Sequence, residues 1–226
     1  MNNKNILIVA ATKFEIEPLL NKIGLSDTHI QTGYMYDGEY RNTRIDVLIT
    51  GVGMVNTAYI MARYINSNYD YCINAGVAGS FNYDIEIGEA VNVVKDELCE
   101  MGAENDSDFI KWEDMALGGK SVFSYEDITT LATLNALKKV NGITVNTVHG
   151  NTSSIMKVKQ LFSPDVESME GAAFFRSCER SIDYPIQIRA ISNYVEKRDK
   201  NKWNMPLAIS NLNEALIKII NEIILL

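Results

Sequence analysis

At 226 residues, 46% hydrophobic and 22% charged, the chain has the balance of a globular protein able to bury a substantial core, and disorder is not indicated. A formal net charge of −8, with no basic block longer than the pair Lys197-Arg198, argues against a partner recognised through its phosphate backbone, so no nucleic acid is expected. No apolar run approaches the length that spans a bilayer, so no membrane partner is expected.

Cys72, Cys99 and Cys178 lie far apart, form no CxxC pair and leave one thiol over in any pairing, which suits a reducing cytoplasm. The polar start at residues 1–4 leads straight into a strand, and no signal peptide is read there.

In chain order, residues 6–10 form a continuous apolar run and predict a buried parallel strand. Thr12 then caps a helix reaching about Ile23, with Leu19, Leu20 and Ile23 on its inner face. Pro18 leaves the helix start open, because proline is tolerated best in a first turn. Strands are expected at 31–36 and 43–50, and Gly51-Val52-Gly53 opens a helix to about Ile65. A short strand at 71–74 leads into Gly76-Val77-Ala78-Gly79, and another covers 90–98. Residues 102–119, rich in Asp, Glu and Gly, read as a long surface loop. A helix is expected at 128–139, a strand at 144–149 and a helix at 170–180. In the next strand Ile186, Ile188 and Ala190 face one way and Gln187 and Arg189 the other, with Ser192-Asn193 at its exit. Residues 206–226 predict a closing amphipathic helix, with Leu212, Leu216, Ile219 and Ile220 at helical spacing. Strands alternating with helices, with no internal repeat or linker, predict an α/β fold: one domain over 1–226, a mixed, mainly parallel central sheet with helices on both faces.

Several unusual segments follow strands: Ala11-Thr12 with Glu15, Thr50 to Gly53, Ala75 to Ser80, and Ser192-Asn193. Ligands of open α/β sheets bind outside the carboxyl ends of strands, so these segments should converge on one crevice. Gly51-x-Gly53 is half of a dinucleotide fingerprint, but Asn56 stands where the third glycine belongs, so no nicotinamide cofactor follows. It reads equally as a tight turn or as backbone facing a ligand. Ala78 and Gly79 either let backbone approach a flat ligand or serve close packing.

Glu15 and Glu170 each sit near a helix N-terminus, where carboxylates are favoured in any case. Glu15 could instead be a general base that holds water. Glu170 could instead grip a sugar diol with its two acceptor oxygens. Ser192-Asn193 is ordinary turn chemistry, or an amide that donates one hydrogen bond and accepts another at the edge of a base. With only His29 and His149 in the chain, no metal centre is expected, and neither a nucleophile elbow nor a Walker loop is present. His149 reads as a structural residue at a strand end.

Together Ala11-x-x-x-Glu15, Thr50-Gly51-Val52-Gly53, Asn74 to Gly79, Met169-Glu170 and Arg189-Ala190-Ile191-Ser192-Asn193 resemble the purine nucleoside phosphorylase superfamily, on its methylthioadenosine/S-adenosylhomocysteine nucleosidase branch. The resemblance covers nearly the whole chain. It implies that Glu15 activates water, that Glu170 binds the ribose hydroxyls and Met169 packs on the sugar, and that no cofactor is needed. Gly51, Ala78, Gly79 and Ser192 join the expected substrate site.

Asn193 departs from that branch, whose members carry Asp there to protonate a leaving adenine. Phosphorylases of 6-oxopurines use Asn, so the expected base is hypoxanthine. The runs Val166 to Ala173 and Arg198 to Leu207 resemble the futalosine hydrolases, whose substrate joins hypoxanthine riboside to a benzoate-bearing extension in the menaquinone route. The aromatic that stacks on the base is expected to be Phe81 or Phe174. The alternatives are a methylthioadenosine-type nucleosidase, a non-catalytic nucleoside binder, and a phosphorylase, for which Arg41, Arg44 and Arg63 are the candidate phosphate ligands. The expected partner is a small purine nucleoside, and the expected assembly a homo-oligomer, a dimer or higher.

Overall fold

The computed structural model of the chain describes residues 4–30, 33–125 and 130–226. Strand β1 (Asn5–Ala10) is fully buried beyond its first residue, as a central strand covered on both faces must be. Ile6, Ile8 and Ala10 enter one hydrophobic cluster and Leu7 and Val9 another. Thr12 leads into helix α1 (Lys13–Ile23), which ends at Gly24 in the left-handed conformation, φ 66°. Next come β2 (Ser26–Ile30), β3 (Gly33–Tyr40), β4 (Thr43–Ile49), α2 (Met54–Tyr64), β5 (Tyr71–Ser80) and β6 (Ala90–Leu98). A hairpin, β7 (Gly102–Asn105) and β8 (Asp108–Lys111), precedes the short β9 (Val122–Ser124) and α3 (Ala132–Ala136). The chain closes through β10 (Lys138–Thr144), α4 (Thr152–Phe162), β11 (Val166–Ser168), α5 (Gly171–Cys178), β12 (Tyr184–Tyr194) and α6 (Met205–Ile224).

The main sheet runs β11-β10-β6-β12-β5-β1-β4-β3-β2, with β9 on β6. β11 also pairs with β5, so β5, β12, β6, β10 and β11 close into a ring. Helices α1 and α6 cover one face of the sheet, through Ile16, Leu19, Leu212, Leu216 and Ile219 among others. Helices α2 and α5 cover the other, through Ile60, Met61, Phe174 and Phe175.

The sheet is mixed, not mainly parallel. Pairings β1–β4, β1–β5, β5–β12, β6–β10 and β10–β11 are parallel. Pairings β2–β3, β3–β4, β5–β11, β6–β9 and β6–β12 are antiparallel. The β3–β4 hairpin turns through Arg41 and Asn42, both at positive φ (52° and 62°). That is the two-residue turn whose twist suits antiparallel strands.

Four expected elements are revised. The strand expected at 71–74 runs on to Ser80, because β12 and β11 pair with its glycine-rich half from either side; Gly76 to Gly79 are strand, not loop. The expected loop at 102–119 contains the β7–β8 hairpin and a 3-10 turn at Trp112–Met115. The helix expected at 128–139 is only Ala132–Ala136, and residues 128–129 lie outside the described ones. The strand expected at 144–149 lies earlier, at Lys138–Thr144, where β6 and β11 supply its partners. Of the strand expected at 31–36, residues 31 and 32 lie outside the described ones, and the remainder opens β3. Helix α4 has no counterpart in the sequence reading, although Asn151 caps it by accepting from the N–H groups of Ser153 and Ser154.

Candidate active site

Where β1, β5, β11 and β12 end, a cavity of about 380 Å³ opens, within the usual range for small-molecule sites. Its wall includes Glu15, Ala78, Gly79, Met169, Glu170, Ser192 and Asn193. Gly51, expected among the substrate-binding residues, is absent from the wall. Its N–H donates to the Ala11 carbonyl (3.1 Å), and its φ of 83° makes the turn that brings the next residue, Val52, to the cavity.

Glu15 lies in the first turn of α1 yet is only 8% exposed. The backbone N–H and the hydroxyl of Thr12 both donate to its Oε2 at 2.9 Å, and the Val77 N–H donates to Oε1 at 3.2 Å. Three donors and the helix N-terminus fix the carboxylate with lone pairs left to accept from a water. Burial raises its pKa above the ordinary carboxylate value; Thr12 and the charge of Arg189 pull the other way.

Glu170 caps α5 and is equally buried. The Gly53 N–H donates to its Oε1 (3.0 Å), and Arg189 Nη2 lies 3.9 Å from Oε2. The glycine turn between β4 and α2 therefore orients a carboxylate more than a hundred residues away.

Arg189 has no role in the sequence reading, yet its charge links the site. It is 1% exposed, donates through Nη2 to Asn74 Oδ1, and acts electrostatically on Glu15, Glu170 and Asp96. An isolated cation at that depth would cost many kcal/mol, so the surrounding carboxylates are what permit it. Gly76 makes the room: a Cβ there would lie 2.5 Å from Arg189 Nη1 and 2.9 Å from Glu15 Oε1. Asp96 is fully buried, accepts from the Thr144 hydroxyl (2.7 Å) and the Gln187 amide (2.8 Å), and has its pKa pushed up to about 6 by burial. A sequence signal for this arrangement existed in the alternation of β12, which sends Gln187 and Arg189 to the same side.

At the other end of the site, β12 slips register against β5 between Ile191 and Asn193. The irregularity at Ser192 re-aims the strand end. The Ser192 hydroxyl donates to Asn193 Oδ1 (2.8 Å), and Asn193 Nδ2 donates to the Tyr194 carbonyl (2.9 Å). One amide hydrogen and one lone pair stay available to a ligand.

Gly79 pairs with Asn193 on one side and with Glu167 on the other. Glu167 Oε1 accepts from the His149 backbone N–H (3.0 Å), and Oε2 lies 2.6 Å from His149 Nδ1. Both residues line the cavity, so His149 is not at a strand end but on the wall.

Neither Phe81 nor Phe174 lines the cavity. Phe81 is 3% exposed and packs edge-on to His149, and Phe174 is wholly buried under the sheet. The aromatic wall residues are Phe14, Tyr194 and Trp203, and the cations among the lining residues are Lys197 and Arg198. Arg198 lies over the Trp203 ring at 4.8 Å.

Arg41, Arg44 and Arg63 are likewise off the wall. Arg44 pairs with Asp46 (2.7 Å), Arg63 donates to the Tyr59 hydroxyl, and Arg41 lies over the Tyr40 ring. Among the described residues no cluster suits a metal ion, and no helix is long and apolar enough to cross a membrane.

Residues 5–221 match the family model of the phosphorylase superfamily. The futalosine hydrolase of Thermus thermophilus is 28% identical over 188 residues, which are 80% of this chain and 84% of that protein. The 5'-methylthioadenosine/S-adenosylhomocysteine nucleosidase of Bacillus subtilis is 24% identical over 235 residues, covering 96% of this chain and 99% of the other. Among solved structures, the native futalosine hydrolase of Helicobacter pylori superposes with a TM-score of 0.84 at 17% identity, over 97% of this chain and 98% of that one. The last likeness is one of fold.

Proposed function

We propose that this chain, which belongs to the phosphorylase superfamily, hydrolyses the N-glycosidic bond of a 6-oxopurine ribonucleoside, with futalosine as the substrate and hypoxanthine as the leaving base. The observation that carries the reading is the convergence of Glu15, Glu170 and Asn193, from three distant segments, on one cavity. In this reading Glu15 holds the attacking water, and its raised pKa suits a base better than an ordinary carboxylate. Glu170 accepts from the ribose hydroxyls, and Met169 packs on the sugar. As the bond to the base lengthens, positive charge grows on the ribose between two carboxylates and negative charge grows on the purine beside Asn193. General-base help contributes about a hundred- to ten-thousand-fold, and a preorganised donor at the leaving group about a hundred- to a thousand-fold.

An amide at position 193 favours a 6-oxopurine. It can donate to N7 or to the 6-carbonyl, but it cannot act as the acid that makes adenine a good leaving group. The extension of futalosine carries an aromatic carboxylate. Phe14 and Trp203 offer it an apolar wall, and Lys197 and Arg198 a cationic rim. The similarity to the Thermus thermophilus futalosine hydrolase supports the same substrate. Hydrolysis is favoured over phosphorolysis because Arg41, Arg44 and Arg63 are engaged away from the cavity.

The test is Asn193→Asp. Release of hypoxanthine should fall, while weak activity on adenine ribosides should rise, most visibly at acidic pH where Asp carries a proton. Undiminished hypoxanthine release by the variant would remove Asn193 from the base site.

A further inference from the structure

In the proposed function the purine has one polar contact, Asn193, and the His149–Glu167 pair has no task. Both residues line the same cavity, and Glu167 is 4% exposed. Glu167 and Asn193 flank Gly79 on its two sides as pairing partners. A Cβ placed on Gly79 would meet Val195 Cγ2 at 3.0 Å, Asn193 Nδ2 at 3.3 Å and Glu167 Cγ at 3.7 Å, so the two polar side chains pack closely about this glycine. The Asn193 amide and the His149–Glu167 pair therefore reach the one cavity from opposite sides of Gly79.

The pair has a defined polarity. An ionised carboxylate is acceptor only. Glu167 Oε1 takes the backbone N–H of His149, so Oε2, at 2.6 Å, takes the ring proton on Nδ1. In its neutral form the imidazole then has its other nitrogen, Nε2, as a bare acceptor. Among the described residues no hydrogen bond reaches Nε2, and it is not sealed from the cavity as a buried orphan.

We infer that His149 reads the base: its Nε2 accepts the N1–H of the 6-oxopurine, with Glu167 as the positioning residue that holds the acceptor tautomer. This rests on the proposed function and deepens it. The edge of hypoxanthine presents N7, then the 6-carbonyl, then N1–H. Asn193 meets the first part and His149 the last. Adenine presents a lone pair at N1, which meets the lone pair of Nε2 and leaves both unsatisfied. Base selection therefore stands on two side chains of opposite role, a donor from Asn193 and an acceptor from His149.

Glu167→Gln tests this without changing the size of any group. The glutamine carbonyl still accepts the His149 backbone N–H, and its amide now donates to Nδ1. The ring proton moves to Nε2, which becomes a donor. With two histidines in the chain, imidazole 15N NMR reads the tautomer directly once His29→Gln identifies the other signal. Equilibrium binding of free hypoxanthine and free adenine, by calorimetry, reads the consequence.

The expected result is the Nδ1–H tautomer in the wild type, the Nε2–H tautomer in the variant, and a fall of about tenfold or more in the hypoxanthine-to-adenine affinity ratio. An Nε2–H tautomer in the wild type, no tautomer change in the variant, or a switched tautomer with the ratio moved less than about twofold would each overturn the inference. In those cases release of hypoxanthine from its riboside by the wild type keeps the proposed function standing. A wild type that neither binds hypoxanthine nor releases it from a riboside overturns both.

Discussion

Gly76→Ala is the smallest change that strikes the floor of the site. The added methyl would lie 2.5 Å from Arg189 Nη1 and 2.9 Å from Glu15 Oε1, where ordinary contacts begin at 3.4 Å. The guanidinium would have to retreat by roughly 1 Å. It has nowhere to go: Arg189 is 1% exposed and bonded to Asn74. Glu15 is held by three donors. Overpacking of this kind costs about 1–3 kcal/mol of stability. A shift of about 1 Å at the carboxylate that holds the water can cost about a hundredfold in turnover. Urea unfolding should therefore show a lower midpoint, and base release followed by chromatography should show kcat down about a hundredfold with KM less affected. Gly150→Ala is the control, since its Cβ would meet Arg198 Cβ at an ordinary 3.6 Å; its stability should stay within about 0.5 kcal/mol of wild type. A Gly76→Ala protein with wild-type midpoint and turnover would refute the crowded floor and the place given to Glu15 in it.

Glu15→Gln should leave nucleoside binding nearly intact while turnover falls by about a hundredfold or more. Because the raised pKa of Glu15 lifts the acid limb, wild-type turnover should decline on acidification at a higher pH than for an ordinary carboxylate; a limb at or below the ordinary value would contradict this. If Glu170 accepts from the ribose hydroxyls, 2′-deoxyribosides should react at least about tenfold more slowly than ribosides, for the loss of a charge-assisted hydrogen bond; equal rates would take Glu170 out of the sugar site. Asp96, raised to about 6, binds its proton more tightly folded than unfolded. Its contribution is full below the unfolded value and is lost as pH rises through about 6, an effect of order 3 kcal/mol. Denaturant unfolding at pH 4.5 and 7.5 should show wild type losing stability relative to Asp96→Asn as pH rises; a constant difference would refute it.

Helices α1, α2, α5 and α6 and strands β1, β4 and β6 were legible from their runs and periods of apolar residues. Ile6 to Ala10 could only be a covered strand, and Leu212, Leu216 and Ile219 could only be one face of a helix. The glycine-rich half of β5 was not legible as strand. Its residues have low strand propensity, and pairing with β11 and β12 decides their conformation. β10 was hidden for the same reason, since Lys138 to Asn141 is polar and finds its strand partners in β6. At the site, side chains with distinctive chemistry at strand exits and helix starts stood out: Glu15, Glu170, Asn193. Gly51 was read one residue off, because a glycine that shapes a turn carries the same sequence signal as one that faces a ligand. His149 and Arg189 were hidden because their partners, Glu167 and the carboxylates around the guanidinium, are brought by the fold and not by spacing. The aromatic wall escaped for a similar reason: Phe14, Tyr194 and Trp203 come from three segments.

The central claim is hydrolysis of a hypoxanthine riboside at a site built for that base. The wild-type protein, incubated in turn with futalosine, inosine and 5'-methylthioadenosine, with and without inorganic phosphate, should release free hypoxanthine from futalosine at the same rate in both conditions. It should leave 5'-methylthioadenosine nearly untouched. Efficient release of adenine from 5'-methylthioadenosine, or base release that appears only when phosphate is added, would contradict the account.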